Sequence, residues 1–163
     1  MGTRSGSLDP ALPLILCQKL KKTPEEIMML LNKDCGLEAL SKISSDFRPI
    51  RHAAAKGNKR ARLTIEILAY QTAKIIGSYA AALNGVDALV FSGGIGENAL
   101  HLRHDICSYL THLGIKLNQS ANLKHHLSPH GGKIISQSKS PVKILVIPAN
   151  EEISIAKQTL ALL

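Results

Sequence analysis

The amino-acid sequence predicts an α/β fold, and three observations carry that prediction. An apolar run over residues 88–91 is bounded by Asp87 and by Gly93-Gly94, the pattern of a strand buried on both faces of a parallel sheet. A second apolar run, 142–147, reads the same way, and helical periodicity fills the chain before, between and after the two. In such sheets ligands bind in the crevice at the carboxyl ends of the strands, which singles out two loops, 92–98 and 149–152.

The elements follow in order. Residues 1–10, rich in Gly, Ser and Thr, read as a loop. Leu12, Ile15, Leu16 and Leu20 give a short helical face around Pro13. Thr23 caps a second helix. Pro24 takes its first position, Glu26 completes a capping box, and Ile27, Leu30 and Leu31 form its buried side. Residues 32–36 end it. The longest helix is predicted over 59–83, with Ala61, Ile65, Leu68, Ile76, Tyr79 and Leu83 on one inward face and Asn84-Gly85 as its stop. Strand 88–91 leads through the glycine turn into a helix over 99–113. The polar, histidine-rich residues 118–132 read as a loop with a short helical piece. Residues 134–135 are a candidate strand and 142–147 a stronger one. Pro148-Ala149-Asn150 then leads into a final helix with Ile153, Ala156 and Leu160 inward.

A chain of 163 residues, 45% of them hydrophobic, is enough for one ordinary domain with a proper core. Aromatics are only 3%, so Leu, Ile, Val and Ala must build that core. The net charge of +8 suggests an anionic partner. The densest basic stretch, Arg48, Arg51, Lys56, Lys59, Arg60 and Arg62, reads first as a solvated loop and helix start, and second as phosphate steering. Nucleic acid is disfavoured, because a single-strand binder needs aromatic stacking platforms. Cys17, Cys35 and Cys107 are odd in number and widely spaced. They indicate neither a disulfide framework nor a zinc site, and imply reduced thiols. The sequence has no apolar run of membrane-spanning length and no charged-then-apolar start, so a soluble cytoplasmic protein with no membrane partner is expected. The histidines form no metal pattern: His101 and His104 lack a third ligand, and His125-His126 lie in a loop.

Four segments carry possible chemistry, each beside a plainer reading. Ser92-Gly93-Gly94-Ile95-Gly96-Glu97-Asn98 follows a strand and opens a helix. Its glycines let a ligand approach the backbone, and the helix start offers free N–H groups to a phosphate; an unliganded glycine turn is the alternative. No P-loop motif is present. Gly94-Ile95-Gly96-Glu97-Asn98-Ala99 matches the dinucleotide fingerprint, yet after Asp105 no acid occurs until Glu151, so the ribose-binding acid of an NAD site is lacking. Asn150-Glu151-Glu152 is either an N-cap with dipole-compensating acids or a source of one magnesium ligand. Gly2-Thr3-Arg4-Ser5-Gly6 is a surface loop or a clamp on a transferring phosphoryl group. Ser44-Ser45-Asp46-Phe47-Arg48 is a helix-capping turn or a purine clamp, with Arg48 stacking on the base and Asp46 accepting a hydrogen bond.

Met1-Gly2-Thr3-Arg4-Ser5-Gly6, Leu31-Asn32-Lys33, Ser44-Ser45-Asp46-Phe47-Arg48, Phe91-Ser92-Gly93-Gly94-Ile95-Gly96-Glu97-Asn98 and Val146-Ile147-Pro148-Ala149-Asn150-Glu151-Glu152, in that order, resemble the acetate kinase family over essentially the whole chain. The resemblance implies an incomplete ribonuclease H-like, actin-like ATPase domain of the actin, heat-shock ATPase and sugar kinase superfamily. Residues 1–163 would be the C-terminal nucleotide-binding domain of such an enzyme, with the N-terminal domain absent. The implied reaction is reversible transfer of the γ-phosphate of ATP to acetate, giving acetyl phosphate and ADP, with ATP/ADP and Mg2+ as cofactors. By position, Arg4 looks like the transition-state stabiliser, and Asp46, Phe47 and Arg48 like the adenine-side contact. Gly94, Ile95, Gly96, Glu97 and Asn98 look like the second nucleotide loop, and Glu151 like the magnesium ligand with Glu152 as its neighbour. The family usually has Asp where Ser7 stands and Thr where Ala149 stands; neither position is assigned to chemistry. Family members are longer, and the part absent here carries the carboxylate pocket. The chain alone is therefore expected to show little or no kinase activity, with the missing N-terminal half and a second copy in a homodimer as its partners. The same resemblance suits a propionate or butyrate kinase half, or a catalytically inactive nucleotide-binding fragment.

Overall fold

The computed structural model describes residues 2–124 and 131–162. The chain divides into two compact units, Met1–Leu68 and Ala69–Leu163, with the boundary inside the longest helix.

The first unit is helical. Helix α1 (Leu12–Leu20) carries Pro13 in its first turn, as its fixed φ favours, but buries no residue: Ile15 and Leu20 of the expected inward face are exposed. Helix α2 (Pro24–Lys33) has the predicted capping box. The Thr23 hydroxyl accepts from the Glu26 N–H at 3.3 Å, and the Glu26 carboxylate accepts from the Thr23 N–H at 2.8 Å. Ile27 is fully buried, with Leu30 and Leu31 half-buried. Helices α3 (Gly36–Ser41), α4 (Phe47–Ala55) and the first part of α5 (Lys59–Ala82) follow. The buried apolar side chains of this unit are Ile27, Leu37, Phe47, Ile50 and Ala61. Arg60 donates to the Leu40 and Ala39 carbonyls that end α3, so one cation of the basic stretch has a structural partner.

In the second unit α5 runs to Ala82, and Asn84 and Gly85 both take positive φ, the predicted stop. Its buried stripe differs from the predicted face. Ala69, Ala73 and Ala80 are buried, whereas Tyr79 is 66% and Leu83 is 73% exposed. Small side chains allow close approach, so packing selected the alanines over the bulkier neighbours.

Strand β1 (Ala88–Phe91), short helix α6 (Gly93–Asn98) and helix α7 (Leu100–Ser108) come next, then a 3₁₀ turn at Thr111–Leu113 and helix α8 (Gln119–Leu123). The single helix expected over 99–113 therefore stops at Ser108, and most of the expected glycine loop is itself helical. Strands β2 (Lys133–Ile134) and β3 (Lys143–Val146) complete a sheet of order β1-β3-β2. β1 and β3 are parallel, pairing Ala88 with Lys143 and Phe91 with Val146; β2 joins β3 antiparallel. Ile144 and Val146, on the central strand, are buried, but Val90 on edge strand β1 is 48% exposed. β1 is thus not buried on both faces as its apolar run suggested. Helix α9 (Glu151–Leu160) forms where predicted but buries nothing; Ile153, Ala156 and Leu160 are exposed rather than inward. Apolar periodicity makes a helix amphipathic, but burial needs a facing surface, which the described residues do not supply.

Replacing Ile144 by Ala is expected to destabilise the chain by about 2–4 kcal/mol in urea denaturation, and Val90→Ala by less than about 1 kcal/mol, because only the first empties a filled site. Equal losses would mean that both faces of the sheet are covered.

Candidate nucleotide site

The first unit gathers three of the motifs. Backbone hydrogen bonds pin the first segment: Ser5 N–H donates to Leu31 O (2.9 Å), Cys35 N–H to Thr3 O (2.8 Å) and Glu38 N–H to Gly2 O (3.1 Å). The exposed Arg4 side chain therefore stands on fixed backbone, lining an open cleft with Ser5, Gly6, Leu31 and Asn32. Gly2 lies against the Ser44-Ser45 turn so closely that a Cβ there would sit 2.9 Å from the Ser45 carbonyl oxygen. The arginine segment and the Asp46 turn are neighbours for that reason.

Asp46 is the N-cap of α4. Its Oδ1 accepts from the Arg48 N–H at 2.9 Å, and the Arg48 guanidinium donates to Oδ2 through Nε at 2.9 Å and Nη2 at 2.5 Å. The capping reading of this turn is thus realised, and the carboxylate and guanidinium expected to hold a purine are bonded to each other. The Arg48 side chain is 86% exposed, while the Phe47 ring is buried in the core. The flat surface this turn offers to a ligand is therefore the guanidinium face. The Arg48 side chain, and next its backbone N–H, hold the Asp46 carboxyl below the usual carboxylate range. A depressed carboxyl supports the folded state above its unfolded pKa and loses that contribution as pH falls through the folded value. Solvent screening keeps the contribution small.

In the second unit the glycine turn and the loop before α9 meet at the carboxyl ends of β1 and β3, where Ile147 N–H donates to Phe91 O at 2.9 Å. Gly96 packs on strand β1; a Cβ there would sit 3.3 Å from the Phe91 carbonyl carbon. Glu97 Oε1 accepts two backbone N–H groups, from Gly93 and from Ala149, each at 2.9 Å. Asn98 is exposed, and its side-chain amide donates to Gly94 O at 2.9 Å. Ile95 is also exposed. Asn150 takes a left-handed φ of 49° and its side chain makes no cap hydrogen bond, so the expected N-cap is not formed. Glu151 and Glu152 stand exposed in the first turn of α9.

Beneath the glycine turn lies a residue the sequence reading missed. Arg103 is only 3% exposed. It donates to the Gly96 and Glu97 carbonyls at 2.7 Å, to Asn122 Oδ1 at 2.8 Å and to Asn122 O at 3.3 Å. Asn122 in turn donates to Leu100 O at 2.9 Å. The available signal was an arginine set among the apolar positions Leu102 and Ile106 of a helix. Burial pushes the nearby Cys107 thiol up to about 12, against the opposing pull of the Arg103 cation, so this cysteine stays protonated at neutral pH.

Among the described residues, no group of three His, Cys, Asp or Glu side chains is placed to cage a metal. His104 instead meets the Gln119 side chain at 2.6 Å, and His125 and His126 lie outside the described residues. A hard cation carried by a nucleotide needs only one or two carboxylates, and the exposed Glu151 carboxylate has the right oxygen chemistry for it.

Two measurements check these networks. The Asp46 carboxyl should titrate, by carbon NMR, below an ordinary aspartate, and Arg48→Ala should raise its midpoint; an unmoved midpoint would remove the pair as the cause. Arg103→Ala should destabilise the chain by roughly 3 kcal/mol, because four hydrogen bonds to buried or part-buried oxygens are lost at once. A loss under about 1 kcal/mol in chemical denaturation would show that the site relaxes around the gap.

The acetokinase family model matches residues 1–157. The chain is 50% identical over 160 residues to the acetate kinase of Thermotoga maritima, covering 98% of this chain and 39% of that protein. Its structure matches the crystal structure of Porphyromonas gingivalis acetate kinase with a TM-score of 0.89 at 37% identity, over 99% of this chain and 40% of that one. It also matches a propionate kinase from Francisella tularensis with a TM-score of 0.85 at 39% identity, over 96% and 38% of the two chains. The chain thus spans well under half the length of these relatives. The fold is the ribonuclease H-like, actin-like ATPase fold of those enzymes, present here in part. By sequence and structure alike, the chain belongs to the acetokinase family.

Proposed function

We propose that this chain supplies the nucleotide and magnesium side of a carboxylate kinase that moves the γ-phosphate of ATP reversibly onto acetate, giving acetyl phosphate and ADP. The observation that carries this reading is the juxtaposition of the glycine turn and the Ala149–Glu152 loop at the ends of two parallel strands, the usual place for a nucleotide in a sheet of this kind. Phosphoryl transfer is catalysed mainly by positioning and by neutralising charge on the equatorial oxygens. Arg4, on its pinned backbone, is suited to the second task. Asp46, Phe47 and Arg48 form the adenine-side turn, with Arg48 as the exposed face. Gly94, Ile95, Gly96, Glu97 and Asn98 form the second nucleotide loop. Glu151 would hold Mg2+, which supplies charge neutralisation on the phosphate oxygens when bound.

The likeness to a propionate kinase, at 39% identity, makes propionate the next acyl group to test. Residues 1–163 act in this reading as the nucleotide-binding domain, completed by the N-terminal part of the enzyme and by a homodimer partner. Alone, the chain binds nucleotide without turnover.

Calorimetric titration with magnesium-ADP, against NAD as control, is the first test; binding of ADP but not NAD is expected. NAD binding, or silence toward both, would count against the reading. With the N-terminal part of a family enzyme supplied in trans, acyl phosphate formation should appear. Arg4→Ala should then lower that rate roughly 10³-fold or more, with nucleotide affinity nearly unchanged. An unaffected rate would remove Arg4 from the chemistry.

A further inference from the structure

We propose that Glu97 is a positioning residue whose carboxylate clamps the glycine turn to the loop before α9, setting where Asn98 and Glu151 stand. The inference rests on the nucleotide reading above and gives this side chain a role apart from ligand contact. One oxygen, Oε1, takes the N–H of Gly93 and the N–H of Ala149, both at 2.9 Å. The Gly93 amide belongs to the first residue of α6, where a free N–H would attract an anion; here the chain's own carboxylate holds it. Hydrogen bonds to an ionised acceptor are the stronger kind.

The clamp sits where the backbone ladder gives out. The last hydrogen bond between β1 and β3 joins Ile147 to Phe91, and beyond it the two segments lead to Gly93 and Ala149, both held by Glu97, which lies 52 residues from Ala149. From the core side, Arg103 holds the Glu97 carbonyl at 2.7 Å, so the backbone that presents the carboxylate is fixed. On the far side, Asn150 takes a left-handed conformation, which asparagine adopts more readily than other non-glycine residues. Ala149 precedes it and Glu151 follows it. Asn98 is the residue after Glu97. One carboxylate thus sets the spacing of both candidate ligand contacts.

Amide hydrogen exchange on the 163-residue chain, followed by NMR, reads the clamp directly. In Glu97→Ala the Gly93 and Ala149 amides should exchange faster together, by about tenfold, as one shared charge-assisted acceptor is lost. The Ile135 amide, bonded to Ile144 O at 2.8 Å, should keep its rate. Glu97→Gln keeps an oxygen at the same reach and should show a smaller joint rise. Release of only one amide, or of neither, overturns the clamp. If Glu97→Ala also releases Ile135, Glu97→Gln decides: a joint rise with Ile135 unchanged supports the clamp, and wild-type rates at either amide overturn it.

Magnesium-ADP affinity then reads its use. If the wild-type chain binds no ADP, the nucleotide reading fails, while the exchange result still decides the clamp. If it binds, Glu97→Ala should weaken affinity about tenfold and Glu97→Gln should recover most of it, as expected for a lost hydrogen-bond acceptor rather than a lost ligand charge. Unchanged affinity in Glu97→Ala with both amides released overturns the positioning role. So does a Gln variant that loses as much affinity as Ala while both amides stay protected.

Discussion

Parallel pairing of β1 with β3 is the constraint on which the second unit depends. Strands 88–91 and 143–146 are far apart in sequence, and only their hydrogen-bonded register brings Phe91 beside Val146. Parallel strands deliver both following segments to the same end of the sheet, so the glycine turn and the Ala149–Glu152 loop emerge side by side. The order β1-β3-β2 makes β3 the central, buried strand and leaves β1 at an edge, which explains why Ile144 is buried and Val90 is not.

That arrangement requires polar groups to be buried beneath the turn, and Arg103 resolves it. The carbonyls near the end of a helix have no partner within the helix. In α6 the Gly96 and Glu97 carbonyls receive the Arg103 guanidinium, a cation where the helix dipole favours one. Asn122 takes the remaining bonds and passes one on to Leu100. Among the described residues, no buried side-chain nitrogen or oxygen lacks a partner. A guanidinium with every nitrogen hydrogen-bonded is tolerated where an unsatisfied one would not be.

The first unit reaches its arrangement by backbone rather than by a buried ion. Residues 2–5 have almost no apolar side-chain mass, yet their peptide groups bond to Leu31, Cys35 and Glu38. These bonds, and the absence of a Cβ at Gly2, hold the arginine segment beside the Asp46 turn. The basic residues around it do not form one uniform patch. Arg48 is paired with Asp46 and Arg60 is bound to carbonyls at the end of α3. Two cations of the basic stretch thus have partners within the chain itself.

What the sequence determined by itself was local. The Thr23 capping box, the Asn84-Gly85 stop, the Asp46 cap and the existence of β1, β3 and α9 all follow from residues within a turn or two of each other. The motif positions were legible for the same reason. Tertiary structure alone decided which faces are buried: alanines rather than Tyr79 and Leu83 on α5, one face of β1, and none of α9. It also decided how Glu97 and Arg103 reach Ala149 and Asn122, which lie 52 and 19 residues away. A cap or a turn is a bargain between neighbours in sequence. Burial and long-range hydrogen bonds depend on which surfaces and oxygens the fold brings near, and neither periodicity nor composition encodes that.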